Sequence, residues 1–491
     1  MFEVAELGRK LTKQEFDEQS PDLHTRLLQV QRDLAGSGKS AIILVSGVEG
    51  AGKGEVVNRF NAWLDSRGIQ TTAFWEETDE EAMRPRYWRF WRAMPPRGSI
   101  GIMFGSWYTR PIIDRVFNNI DEAEFDRRLQ EIAEFERMLT DDGVILIKLW
   151  FHMAQEKVQK QLAADAKNHK AKLRASPYTT KFSRQFDAFM EASQHAIRST
   201  DQGGAPWHIV EATDRHFRDL TAGSILHDSL AQQILASAQA AKAPKKRKKA
   251  AVSAEPTILD TLDLSQTLSD QDYSKKLAKW QGKLHELSWL ARQKRRSVVL
   301  VFEGWDAGGK GSTIRRLTQA IDARLYKVIS TAKPTDEEAA QHYLWRFWRH
   351  IPMAGNVSIY DRSWYGRVLV ERVEQFAKEA EWQRAFAEIN LFEKQLSEHG
   401  IIVLKFWLHL SPEEQLRRFN ERKETPWKLH KITEEDWRNR DSWGAYKLAV
   451  NDMVQRTSTE FAPWHLIPGN DKKFARVEVL KIVCKALKQA L

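Results

Sequence analysis

A chain of 491 residues, 42% hydrophobic and 29% charged, is too long for one core and has a globular balance, so two domains of about 240 residues each are expected. Its apolar runs beside the two glycine loops fall short of the about 20 residues that cross a bilayer. The N-terminus Met1-Phe2-Glu3-Val4-Ala5-Glu6 lacks the basic and apolar regions of a secretory signal, and a single cysteine, Cys484, excludes an internal disulfide and fits a cytoplasmic setting.

The net charge of +10 is local. Lys242, Lys245, Lys246, Arg247, Lys248 and Lys249 supply six of it, which leaves +4 for everything else. The high pI therefore says little about what the folded parts bind, and a solvated tether is the expected reading of that run.

Taken from the start, residues 1–38 are predicted helical. Leu23, Leu27, Leu28 and Leu34 are spaced for one face, and Ser37-Gly38 break the pattern before a strand. Ile42-Ile43-Leu44-Val45 then runs into Gly47-Val48-Glu49-Gly50-Ala51-Gly52-Lys53-Gly54. This is a strand entering a glycine-rich turn that carries a lysine. From Ala236 to Pro256 the chain is rich in Ala, Lys, Pro and Ser without apolar periodicity, as in a flexible linker. Leu284, Leu287 and Leu290 then repeat the leucine-bearing helix ahead of a second strand.

That strand, Val298-Val299-Leu300-Val301-Phe302, leads through Glu303 into Gly304-Trp305-Asp306-Ala307-Gly308-Gly309-Lys310-Gly311-Ser312 and then a helix. Such a loop curls so that successive N–H groups point inward, and the lysine and the helix N-terminus add positive charge. Gly304, Gly308, Gly309, Lys310, Gly311 and Ser312 are accordingly the expected phosphate contacts. Gly311 follows the lysine directly, with Ser312 one place later, a variant found among nucleoside monophosphate kinases.

The two loops belong to a longer repeat. Lys53 and Lys310 lie 257 residues apart, and the same offset maps Trp88-Arg89-Phe90-Trp91-Arg92 onto Trp345-Arg346-Phe347-Trp348-Arg349. It also maps Ser106-Trp107-Tyr108 onto Ser363-Trp364-Tyr365, Phe135-Glu136 onto Phe392-Glu393, Lys148 onto Lys405 and Pro206-Trp207 onto Pro463-Trp464. Two copies of one domain are predicted, over 1–235 and 257–491, joined by a basic linker at 236–256. Each copy reads as strand, loop, helix, short strand, helix, strand, helix, strand. That alternation predicts an α/β fold with a parallel sheet flanked by helices and ligands at the carboxyl ends of its strands.

The chemistry is predicted at those ends. Asp361 closes the strand Val357-Ser358-Ile359-Tyr360, where a phosphate-loop enzyme places the carboxylate that holds Mg²⁺, and Asp306 is a second carboxylate inside the loop. A helix cap is the bland alternative for Asp361. Arg362, Arg367 and Arg372, with Glu371 among them, suit phosphate oxygens because guanidinium groups bind them in two-pronged fashion. Arg418 and Arg422 lie four apart on one predicted helical face, placed either to close over the transferring group or to pair with Glu414 and Glu421. Lys333 follows a strand end near the loop and is a candidate phosphate contact. The Trp-Arg-Phe-Trp-Arg segments resemble a nucleic-acid surface, but Trp345 and Trp348 share a helix face that suits core packing.

At these positions the halves differ. Asp361 corresponds to Phe104, Arg362 to Gly105, Lys333 to Glu76, Arg418 to Gln161 and Arg422 to Asp165, while Lys53 and Glu49 stand for Lys310 and Asp306. The second half is predicted to be the working one.

Gly304 to Ser312, Asp361-Arg362-Ser363-Trp364-Tyr365, Ser411-Pro412-Glu413-Glu414-Gln415, Trp427-Lys428 and Ala462-Pro463-Trp464 together resemble the polyphosphate kinase 2 family, and the layout is similar to its tandem-domain branch. The resemblance implies two tandem P-loop kinase-like domains with a helical lid, and the first, which departs from the family pattern at Phe104 and Gly105, is expected to be inactive. It implies Mg²⁺-dependent transfer from inorganic polyphosphate to AMP, giving ADP, and assembly as a homo-oligomer. On it, Asp306, Lys310, Asp361 and Arg362 are the catalytic set, with Asp306 and Asp361 on the metal. Arg362, Arg367, Glu371 and Arg372 are the expected nucleotide contacts, and Lys333, Arg418 and Arg422 join the loop on polyphosphate. Neither nucleic acid nor a membrane is an expected partner. Alternatives are transfer to ADP, an ATP-dependent monophosphate kinase, and a polyanion-binding protein that uses the linker lysines.

Overall fold

The structure, a computed structural model, describes residues 1–167, 185–241, 256–424 and 434–491. The basic run of the linker and the pair Trp427-Lys428 lie outside the described residues, as does the side chain of Asp165.

The first half holds five strands: β1 (Ser40–Gly47), β2 (Ile69–Ala73), β3 (Ile100–Phe104), β4 (Val144–His152) and β5 (Trp207–Glu211). They form one sheet in the order β2-β3-β1-β4-β5 with every neighbouring pair parallel. The second half repeats it with β6 (Val298–Gly304), β7 (Tyr326–Ser330), β8 (Val357–Asp361), β9 (Ile402–His409) and β10 (Trp464–Pro468). Its order is β10-β9-β6-β8-β7, again all parallel. Read from β2 in the first and from β7 in the second, the two orders are the same.

β6 lies between β8 and β9 and is buried from Val298 to Glu303, which is why its sequence is a continuous apolar run rather than an alternating one. The alternation reappears in what each residue meets. Leu300, Phe302, Leu404, Phe406 and Leu408 share one core with Leu284, Leu287, Val479, Val483 and Leu487, from the helices Asp270–Gln293 and Lys472–Ala490. Lys405, one residue out of phase, bonds instead to Glu393 on the helix Glu379–Glu398. Helices thus cover both faces, and the carboxyl ends of the central strands stay available for loops.

The structure departs from the sequence reading in three places. β5 and β10 are fifth strands beyond the four that the sequence predicts, because a five-residue edge segment directly after a proline carries little periodicity. The first helix runs from Lys13 to Gly36 rather than from the N-terminus; Thr12 and Glu15 form a reciprocal capping box that starts it there. The helix from Arg215 ends at Ala241, so it passes the expected start of the linker.

Trp345 and Trp348 are buried, while Arg346 and Arg349 pair with Glu338 and Glu337. The core reading of that segment is the one the fold adopts. Among the described residues no helix is long and apolar enough to cross a membrane.

Candidate active site

At the carboxyl end of β6 the chain turns through Gly304, whose φ is +147°. A Cβ there would stand 2.5 Å from the carbonyl oxygen of Leu408, so only glycine fits. Gly309 then caps the helix Lys310–Thr318 in a left-handed conformation. Lys310 folds back over the curl, its Nζ donating to the carbonyls of Gly304 (2.6 Å) and Trp305 (3.3 Å). Glycine turn, lysine and helix N-terminus are together at one strand end, as a phosphate cradle requires.

Asp361 closes β8, the strand beside β6, with Phe302 as its register partner. Its Oδ2 lies 3.9 Å from where a Cβ on Gly311 would be, so the carboxylate stands over the first turn of the loop helix. It does not serve as a helix cap: Ser363 caps the following turn by accepting from the Tyr365 N–H. Arg362 holds φ +63°, left-handed for a non-glycine residue, and its Nη2 lies 3.2 Å from Asp306 Oδ1. Holding such a conformation costs about 1–3 kcal/mol and marks functional turns. Asp306, Lys310, Asp361 and Arg362, separated in sequence, thus line one strand-end cluster.

Two residues that sequence reasoning missed complete it. Glu303, the last buried residue of β6, accepts from both the N–H and the hydroxyl of Ser363, each at 2.8 Å. Burial pushes its carboxyl up, against the pull of Lys310 first and Arg362 after. Asn439, on the helix Glu434–Asp441, donates to Asp306 Oδ2 at 2.9 Å and accepts from the Tyr446 hydroxyl. Glu303 sits directly before the loop and could have been suspected. Asn439 carries no sequence signal.

The remaining predicted contacts divide. Lys333 is exposed on the loop leaving β7, where Thr331 N–H bonds the carbonyl of Asp361. Arg422 lies with Arg418 on the helix Pro412–Lys423. Arg418, for which the sequence left open a phosphate clamp or a pairing with Glu414, makes the pairing and is 2% exposed and bonded to protein on all sides. Nε meets Glu414, Nη1 donates to Ala307 O (2.9 Å), and Nη2 donates to Gly469 O (2.6 Å) and Asn470 O (2.8 Å). Buried carbonyls need donors, and a five-donor guanidinium can serve several loops at once. Two other expected nucleotide contacts also meet protein groups: Arg367 pairs with Glu371 and lies over the Tyr343 ring, and Arg372 pairs with Asp452 and lies over Trp382.

The loop is supported from behind by aromatic packing. Trp305 stacks on Trp443 with centroids 3.7 Å apart and planes 6° apart. Its indole N–H donates to His409 Nδ1 at 3.0 Å.

The sequence around this site, and its repeat in the first half, match one family model. Residues 10–237 and 267–491 both match Polyphosphate kinase 2 (PPK2). The chain belongs to the polyphosphate kinase 2 family. It is similar to a polyphosphate:AMP phosphotransferase of Pseudomonas aeruginosa, at 46% identity over 100% of this chain and 99% of that one. A polyphosphate:AMP phosphotransferase of Pseudomonas syringae pv. tomato is 43% identical with the same coverage. The crystal structure of a polyphosphate kinase 2 from Pseudomonas aeruginosa PA01 superposes with a TM-score of 0.90, at 45% identity, covering 100% of this chain and 99% of that one.

The first polyphosphate kinase 2 domain keeps the shape of the loop but changes several side chains around it. Lys53 Nζ donates to Gly47 O (2.8 Å) and Val48 O (3.0 Å), the same posture as Lys310. Where the second domain places Asp361 and Arg362, the first has Phe104 and Gly105, the latter at φ +80°. Gln161 stands beside Gly50, in the place that Arg418 takes against Ala307. Arg218, 3% exposed, packs its guanidinium against Gly52 and donates to Ala51 O; its counterpart in the second domain is Ala475.

Proposed function

We propose that the second domain transfers the terminal phosphoryl group of inorganic polyphosphate to AMP, giving ADP, and that the first domain is an accessory copy. The observation that carries this reading is the Asp361 carboxylate over the start of the phosphate-loop helix, in the second domain alone. The names borne by the full-length relatives supply donor and acceptor.

The loop amides, Lys310 and the helix N-terminus bind the phosphate chain and spread its charge over fixed donors. An oxygen of the AMP phosphate attacks the terminal phosphorus in line. One P–O bond forms to AMP, the bridge to the next phosphate breaks, and its electron pair leaves with the shortened chain. The acceptor needs no strong base, since a phosphate monoester has lost its second proton above a pH of about 6. Arg362, beside Asp306, is placed to orient phosphate oxygens, and the remaining work is positioning and charge stabilisation. Lys333 and Arg422 extend the positive edge along the donor chain, while Arg418 acts on the loop carbonyls.

Asp361, over the first turn of the loop helix, and Asp306, bonded here to Arg362 and Asn439, are the two carboxylates that would hold Mg²⁺. Among the described residues no three His, Cys, Asp or Glu side chains gather into a cage, and Mg²⁺ in such sites takes one or two carboxylates together with phosphate oxygens and water. When bound, the ion neutralises charge on the transferring group.

The test is incubation of the purified protein with Mg²⁺ and polyphosphate against AMP, ADP and GDP separately, with chromatographic separation of products. ADP formed from AMP and polyphosphate is expected. Product from ATP plus AMP alone, or ATP formed from ADP in preference, would replace this reading.

A further inference from the structure

The two domains answer the same backbone problem differently. Both turn left-handed directly after the strand that carries the Asp361 position. The first does so with Gly105 at φ +80°, the second with Arg362 at φ +63°. A second pair repeats the contrast within the loop, Gly50 at φ +80° against Ala307 at φ +61°. The second domain therefore keeps two non-glycine residues in a conformation that glycine adopts freely.

Each strained residue in the second domain has a buried brace whose side chain the first domain replaces. Arg418 bonds the carbonyl of Ala307, and Gln161 replaces it in the first domain. Glu303 receives both the N–H and the hydroxyl of Ser363, the residue directly after Arg362. Its counterpart is Ser46. There the N–H of Ser106, the equivalent of Ser363, turns to the Thr109 hydroxyl of its own turn at 3.0 Å. Where the left-handed residue is glycine, the carboxylate is missing; where it is arginine, the carboxylate is present. A backbone held off its preferred region persists only if its surroundings over-determine it.

We propose that Glu303 is a positioning residue for the phosphoryl transfer, fixing Arg362 in its left-handed conformation through Ser363 so that the guanidinium stays beside Asp306. This rests on the function proposed above for its kinetic consequence, but not for its structural one. What the site needs from Glu303 is an acceptor oxygen at one point. A glutamine offers the same oxygen at the same reach, and a serine, the residue of the first domain, does not.

The experiment compares wild type, Glu303→Gln and Glu303→Ser in the full chain, by crystal structure and by steady-state kinetics with polyphosphate and AMP. In Glu303→Ser, Arg362 is expected to leave the positive-φ region and lose its contact with Asp306. Its kcat should fall about 10- to 100-fold with KM for AMP within about twofold, because misplacement of a charge-stabilising group acts on the transition state. Glu303→Gln should keep φ at residue 362 positive and restore kcat to within about threefold of wild type. A Glu303→Ser structure with φ at 362 still near +60° would overturn the proposal, as would a Glu303→Gln enzyme as slow as Glu303→Ser, which would mean that the charge acts directly. Should Glu303→Ser fail to fold, Ser363→Ala removes one of the two bonds from the other side, together with the cap on the Tyr365 N–H, so φ at residue 362 is read beside the rate. It is read the same way, with a loss of about tenfold expected and an unchanged rate counting against the proposal. A wild type that makes no ADP would refute the proposed function and leave the structural comparison to decide the role of Glu303.

Discussion

Lys405 Nζ lies 2.7 Å from Glu393 Oε2, and neither side chain has any solvent exposure. The lysine also donates to the Tyr365 hydroxyl and to the carbonyl of Thr457, and Glu393 Oε1 receives Trp364 and Tyr365. Burial pushes Glu393 up and Lys405 down, each opposed by the charge of the other. The cluster fastens β9, the turn after Arg362 and the helix ending at Thr457 to one another. Lys148 and Glu136 repeat it in the first domain, also at 2.7 Å and fully buried. Being present in both copies, it is a feature of their common fold.

Lys405→Met is therefore expected to cost about 3–5 kcal/mol of stability, since it leaves a buried carboxylate without its partner. Adding Glu393→Gln should return much of that loss. Urea denaturation at neutral pH measures both, and a double variant no more stable than Lys405→Met would refute the pairing argument.

Asp361→Asn is expected to lower kcat by about 10²–10³-fold while leaving the melting temperature near that of wild type, because it removes charge and not bulk at the reacting site. Lys53→Ala, in the first domain, should change the rate by less than about threefold if that domain is an accessory. ADP formation from AMP and polyphosphate reports both. Comparable losses in the two variants would show that the domains share the work.

Arg418→Met should lower stability by about 3 kcal/mol, because it strands the carbonyls of Ala307, Gly469 and Asn470 that the guanidinium serves. If Arg418 instead acted chiefly as an open phosphate clamp, the variant would unfold like wild type and differ only in KM for polyphosphate. Equilibrium unfolding alongside kinetics separates the two.

Burial lowers the imidazole of His409 to about 4, from an ordinary 6.5. Its Nδ1 accepts from the indoles of Trp305 and Trp407, so the neutral ring is the form the fold uses. An unfolded chain takes up that proton more readily. Stability from this group is thus complete above pH of about 6.5 and is lost as pH falls to about 4, by up to about 3 kcal/mol. Unfolding free energies at several pH values in this window should drop more steeply for wild type than for His409→Asn, and parallel curves would exclude the histidine as the cause.

The sequence by itself determined the duplication, the parallel α/β architecture, the phosphate loop and the strand-end aspartate, because each is written in contiguous residues or in a fixed offset between them. A loop such as Gly304 to Ser312 is shaped by its own glycines, and an apolar run such as Val298 to Phe302 by its burial on both faces. Only the tertiary structure decided what each charge does. Glu303 meets Ser363 across 60 positions, Arg418 meets Ala307 across 111, and Asn439 meets Asp306 across 133. An arginine four residues from its neighbour on a helix reads the same whether it faces phosphate or carbonyls. The choice depends on which backbone oxygens the folded loops leave without donors, and that is a property of the packed molecule.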